Sequence, residues 1–280
     1  MKTRHVKLAA EVRFLGREVW LVIGLGALLA SSVDAQYTAN FQTNIISGVV
    51  SNWTGDYTVG NANYPDVLLI QNGGLLVSTG NGTVGNAVGG SNNTAIVTDT
   101  GSVWTNQGQL SVGTSGRDSS LIVSNGGVVW AGTTGLGFNG SSSNNTIVVT
   151  GSGSFLRGPG LTVGYGGSAN RLVVSDGGTI IGGAAEVSGT TASHSNTVLV
   201  TDPGSTWYAD VMMGAYGPAN TMVISNGGAV FGGHGYIGYQ GSLSPTANSN
   251  LVVVTGTGFG LEQHSGLVRG LSGRQQPPRD

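Results

Sequence analysis

Apolar and polar positions along this chain fall into one phrase that returns eight times. Aligned on a turn glycine it reads LLIQNGGLLV, AIVTDTGSVW, LIVSNGGVVW, IVVTGSGSFL, LVVSDGGTII, VLVTDPGSTW, MVISNGGAVF and VVVTGTGFGL. The aligned glycines are Gly74, Gly101, Gly127, Gly153, Gly178, Gly204, Gly228 and Gly258, with spacings of 27, 26, 26, 25, 26, 24 and 30 residues. A fixed period of this size marks a solenoid, in which each repeat packs only on its neighbours. Four residues before the glycine stand Ile70, Val97, Val123, Val149, Val174, Val200, Ile224 and Val254, all β-branched and suited to a pleated surface. Two residues earlier stand Leu68, Ala95, Leu121, Ile147, Leu172, Val198, Met222 and Val252. The two columns share one strand face, because side chains alternate. The column between them, from Leu69 to Val253, is apolar too. That allows either a strand covered on both faces or an outer hydrophobic stripe.

Polar columns flank the strand. Eight residues before the glycine stand Asp66, Asn93, Ser119, Asn145, Asn170, Asn196, Asn220 and Asn250. Asn tolerates turn conformations and stacks into amide ladders, so this column predicts a structural ladder rather than a ligand site. A looser element recurs between the phrases: a hydrophobe followed by Gly, as in Val59-Gly60, Val84-Gly85, Val112-Gly113, Val163-Gly164, Met213-Gly214 and Ile237-Gly238. It predicts a second kind of short strand with its own turn. Odd and even repeats differ in this half, which makes the larger unit a pair of about 51 residues. The NGG and DGG turns suit hairpins, but a hairpin meander need not restore the same columns every repeat. The fold expected is all-β: a right-handed parallel β-helix of about eight coils with a period near 26 residues.

Composition supports this reading. The 280 residues include 51 glycines, no cysteine and 9% charged residues. The first 35 residues differ from the rest. Lys2, Arg4, Lys7, Arg13 and Arg17 precede the apolar run VWLVIGLGALLA, and Val33-Asp34-Ala35 forms a small-residue cleavage pattern. This is the pattern of a secretory signal, with Gln36 as the new N-terminus. Domain bounds follow: 1–35 signal peptide, 36–55 lead-in or cap, 56–258 repeats, 259–280 divergent tail. After cleavage the chain holds no lysine, six arginines and ten acidic residues, a formal charge of −4. Such a chain lacks the basic footprint of nucleic-acid binding.

Site chemistry is sparse. Asp99, Asp176 and Asp202 share a turn column with Asn72, Asn125 and Asn226 and read as turn residues. Asp56, Asp66, Asp118, Glu186 and Asp210 fall in no common column. His194, His234 and His264 lack metal-ligand spacing. His234, in GGHGYIGYQG, reads as a solvated loop residue. Three residues after the aligned glycine stand Val77, Trp104, Trp130, Leu156, Ile181, Trp207, Phe231 and Leu261, read as a packed apolar column, the other reading being a sugar-stacking stripe. No residue is nominated as catalytic, cofactor-binding or metal-ligating, no cofactor is expected, and the chain is read as a non-enzyme.

The repeats of the form N-T-φ-φ-V-S-N-G-G, with intervening V-G-x-x-G, resemble the β-helical passenger repeats of bacterial autotransporters, over roughly residues 56–258. The resemblance implies export and display at the cell surface or outer membrane, or release outside the cell. It implies a structural or adhesive role, with surface glycans or other cells as partners. Complete members carry a C-terminal outer-membrane barrel. No set of amphipathic strands follows residue 258 here, so a barrel is expected only in a full-length form, and a periplasmic location if it is truly missing. After Thr257 the repeat grammar breaks, and a frameshift is the reading of the tail. The alternative function is a carbohydrate-active β-helix enzyme, a polysaccharide lyase or glycosidase.

Overall fold

The computed structural model describes residues 42–61, 65–238 and 247–256, and the strands at 260–263 and 269–270. The expected signal peptide, most of the tail, Tyr239 and His264 lie outside the described residues. Every described strand pairing is parallel, and no helix occurs among the described residues. Nine strands, from Thr43–Ser47 through Val67–Gln71 and Thr146–Thr150 to Leu251–Thr255, stack in sequence order in the first sheet. The chain is thus an all-β parallel solenoid of about eight turns with steps of about 26 residues. The strands Thr43–Ser47 and Val50–Trp53, in the segment expected as a lead-in, already pair in register with Val67–Gln71 and Leu75–Ser78. The second and third strands of each coil make a second, 16-stranded sheet. In two successive coils they fuse across the corner, as Thr179–Val187 and Thr206–Met213.

The period-2 pattern decides which side chains go inside. Leu68, Ile70, Leu121, Val123, Ile147 and Val149 are fully buried, as the two inner columns require. The column between them, such as Leu69, Ile122 and Val148, is half-buried and faces outward. The stripe is therefore the outer one that the sequence allowed. Its Ser and Thr flanks pair across levels: Ser124 Oγ donates to Thr98 Oγ1 at 3.0 Å and Ser175 Oγ to Thr150 Oγ1 at 2.9 Å.

An odd–even difference lies in the turns after the first strand, not only in the hydrophobe-Gly half to which the sequence assigned it. After the strands ending at Gln71, Ser124, Ser175 and Ser225 the turn is Asn/Asp-Gly-Gly, closed by a bond such as Gly127 N to Ser124 O at 2.9 Å. Asn125 and Gly126 have φ of 50° and 86°, the two positive values of a type I′ turn. In the alternate coils the turn is one residue longer, as Asp99-Thr100-Gly101-Ser102, with positive φ at Asp99 and Gly101. Its serine reaches back one coil: Ser102, Ser154 and Ser205 Oγ accept from Gly73, Gly126 and Gly177 N at 3.1, 3.0 and 3.0 Å. A turn type associated with hairpins here rounds a solenoid corner.

That extra residue corrects the tryptophan column. Counting three from the glycine, Trp104, Leu156 and Trp207 point inward and are buried, whereas Trp130 is exposed and Ile181 and Phe231 are half-buried. Trp104 pairs in register with Val129, not with Trp130. The single packed column expected from the sequence is thus two columns of opposite facing. The indole N–H groups of Trp104 and Trp207 have no hydrogen-bond partner among the described residues.

The asparagine ladder forms. Asn145 N donates to Asn170 Oδ1 at 3.0 Å, Asn170 N to Asn196 Oδ1 at 3.0 Å, Asn196 N to Asn220 Oδ1 at 2.9 Å and Asn220 N to Asn250 Oδ1 at 3.0 Å. The left-handed conformation, however, falls one residue earlier, at Asn92, Asp118, Asn144, Ala169, Ser195, Ala219 and Ser249. The V-G glycine completes the corner. Gly113 has φ of 72°, and a Cβ there would overlap the Asn145 side chain of the next coil.

Candidate functional site

Stacking accounts for six of the eight acidic residues between 42 and 256. Asp99, Asp176 and Asp202 hold turns with φ of 74°, 50° and 75°, and Asp118 is a left-handed corner residue. Asp66 heads the ladder, its N donating to Asn93 Oδ1 at 2.9 Å and its Oδ1 accepting from Gln42 N at 3.0 Å. Asp56 Oδ1 accepts from Asn81 N at 2.7 Å, and Asn81 Oδ1 from Gln109 N at 2.9 Å, a second corner ladder. Glu186 and Asp210 remain, both on the outer face of the second sheet.

Two outward lanes cross that face. The first runs through Thr105, Trp130, Arg157, Ile181, Tyr208 and Phe231, one residue per level. Trp130 is 44% and Tyr208 45% exposed, although each could have been buried by a one-residue shift of phase. Arg157 Cζ lies 4.9 Å from the Trp130 ring centroid, and Tyr208 stacks on Phe231 at 5.4 Å and 22°. These two pairs fix the rings at either end of the lane, with Ile181 between them. At about 4.8 Å per level the lane from Trp130 to Phe231 is about 20 Å long.

The second lane runs through Ser111, Gly135, Thr162, Glu186, Met212 and Tyr236. Beside it lies a groove of about 340 Å³ bounded by Gln109, Gly135, Phe138, Thr162, Tyr165 and Glu186. Phe138 and Tyr165 stack at 5.0 Å and 16°. Burial pushes the Glu186 carboxyl above its ordinary range, and none of the described residues donates a hydrogen bond to it.

Asp210 is different. Gly233 N donates to Asp210 Oδ1 at 2.6 Å, His234 N to the same oxygen at 3.0 Å, and His234 Nδ1 lies 3.2 Å from Oδ2. Desolvation raises this carboxyl, but the three hydrogen bonds and the facing imidazole together hold it below its ordinary range. His234 also stacks on Tyr236 at 6.2 Å and 4°. His234 is exposed, as expected of a solvated loop residue, and it is in addition tied to an acid one coil away. Only the register of Thr206–Met213 with the following coil brings this pair together. Among the described residues no group of three or more His, Cys, Asp or Glu side chains could hold a metal ion. No protein-family model, no curated protein and no solved structure matches this chain. Functional argument therefore rests on the outer face of the second sheet.

Proposed function

We propose that this chain is an exported surface module of the autotransporter-passenger type, a structural rod with an adhesive face that contacts glycans. The first lane carries the reading. The two exposed rings of this lane, Trp130 held by Arg157 and Tyr208 by the half-buried Phe231, serve no packing need of the solenoid. Exposed aromatic clusters mark interaction surfaces, and ring faces suit the apolar faces of sugars. A repeat scaffold also presents such a lane rigidly along its length. The N-terminal signal pattern and the N-T-φ-φ-V-S-N-G-G repeats support export and the passenger resemblance.

Retention of the purified chain on glycan-coated surfaces tests the reading. The Trp130→Ala/Tyr208→Ala variant should lose most retention with little change in its denaturation midpoint, because both side chains lie outside. Undiminished retention would overturn the role of the lane.

A second reading, carbohydrate cleavage without a cofactor, draws on Glu186 and Asp210. They are diagonal neighbours on one face, Glu186 opposite Met212 and Ala184 opposite Asp210, about 8 Å apart at Cα by strand geometry. Their environments push the two carboxyls in opposite directions, as in an acid–base pair. Against it, Asp210 already accepts three hydrogen bonds and is held as a clip between coils. Turnover of a polysaccharide that disappeared in Asp210→Asn would favour this reading over the adhesive one.

A further inference from the structure

Along the second lane the repeat grammar places a hydroxyl residue on the outside of the short third strand: Thr58, Thr83, Ser111 and Thr162. From Glu186 onward the lane leaves this grammar, through Met212 and Tyr236, and two departures flank Thr162. At Gly135 the outward side chain is missing, and at Glu186 it is a carboxylate. Gly135 is not in a positive-φ conformation, and an added Cβ would meet only Gln109 Nε2 at 3.1 Å and the Phe138 ring at 3.6 Å. Neither fold nor turn demands a glycine there. Its effect is to open the groove next to the Phe138–Tyr165 wall, with Glu186 one level beyond Thr162.

We infer that this groove is a subsite for one or two uncharged pyranose rings of a glycan chain, seated against Phe138 and Tyr165 with ring hydroxyls donating to the Glu186 carboxylate. The inference rests on the glycan-facing reading above and gives it a specific address. The groove volume of about 340 Å³ sits at the small end of the ~300–1,000 Å³ of small-molecule sites, as a single ring needs. A half-buried carboxylate that lacks a protein donor is matched by vicinal hydroxyls, whose hydrogen bonds to it are charge-assisted. Gln109 supplies an amide at the opposite end. Acidic sugars are disfavoured, because Glu186 lines the groove and Asp210 is its diagonal neighbour, while Arg157 is engaged with Trp130.

Calorimetric titration of the purified chain with cellohexaose, chitohexaose, mannohexaose and hexagalacturonate tests this. At least one neutral hexasaccharide should bind and hexagalacturonate should not. Gly135→Thr, which restores the residue found at Thr83 and Thr162, should fold normally and close the groove. Glu186→Gln should keep the shape and remove the charge. Each should weaken binding roughly tenfold or more, as expected for losing the seat or a charge-assisted hydrogen bond. Denaturation midpoints at or above wild type would separate this loss from misfolding. Binding of hexagalacturonate equal to the neutral sugars, no binding by any neutral probe, or unchanged affinity in both variants would overturn the inference. If retention on glycan-coated surfaces persists in those cases, the adhesive reading stands without this groove. If retention is lacking as well, that reading falls with it.

Discussion

Asn145 connects three coils. Its Oδ1 accepts from Ser119 N at 2.9 Å, its Nδ2 donates to Asn170 Oδ1 at 3.1 Å, and the same Nδ2 reaches Gly116 O at 3.2 Å. Asn145→Ala therefore leaves Ser119 N and Gly116 O without their partners, at about 1–3 kcal/mol in all. Val149, four residues on, is fully buried among aliphatics. Val149→Asp places a carboxylate there without a partner and should cost more, roughly 3–5 kcal/mol or loss of folding. Urea denaturation of both variants checks the order. A cost below about 1 kcal/mol for Asn145→Ala would mean the ladder is not a connected network. The Asn column was plain in the sequence because the residue recurs. Its left-handed neighbour was not, since Ala169 and Ala219 occupy the same conformation as Asn92 and Asn144, and no composition pattern marks them.

At the scale of strands and corners, the long strands Thr179–Val187 and Thr206–Met213 carry Glu186 and Asp210, the two acids between residues 42 and 256 that packing leaves unexplained. Their pH effects should have opposite signs. The Asp210 carboxyl is lowered in the fold from its ordinary 3.8, so its contribution is present above that pH and is lost as pH falls through the folded value. Glu186 is raised above its ordinary 4.5, so stability is full below that pH and is lost as pH rises through the folded value. At neutral pH Asp210→Asn should thus be less stable than wild type and Glu186→Gln more stable. Both differences should shrink in acid. Denaturation midpoints measured against pH check this, and two parallel profiles would contradict the assigned environments. The alternating turns belong to this scale too. A four-residue corner supplies a serine to the three-residue corner of the preceding coil, a dependence visible only once Ser102 is seen against Gly73.

For the whole molecule, that dependence makes two coils the natural unit of insertion and loss. Deleting residues 125–175 joins Ser124 to Asp176 and keeps the alternation. Deleting residues 99–124 joins Thr98 to Asn125, sets two Asn-Gly-Gly corners in succession, and strips Gly73 N of its acceptor. Solenoid stability is a sum of coil and interface contributions, so the longer deletion removes more of them. The shorter one should nevertheless show a loss of about 1 kcal/mol beyond the per-coil trend, from the unmade hydrogen bond and the mismatched corner. Denaturation of both deletion variants, compared per remaining coil, reads the difference. Equal per-coil stability would mean that the corners act independently.

The repeat by itself determined the architecture. Period, inner columns, glycine turns and amide ladder all follow from what a coil must do to stack on an identical coil, and such needs recur at every level. Facing and neighbourhood were decided by the tertiary structure. One extra turn residue reversed Trp104 relative to Trp130, because side-chain period in a strand is two and a shift of one changes the face. Asp210 and His234, and the groove between Gly135 and Glu186, are single departures from the repeat. Residues 24 or more apart in sequence become neighbours only through the register of the stacked strands, so no local pattern could announce them.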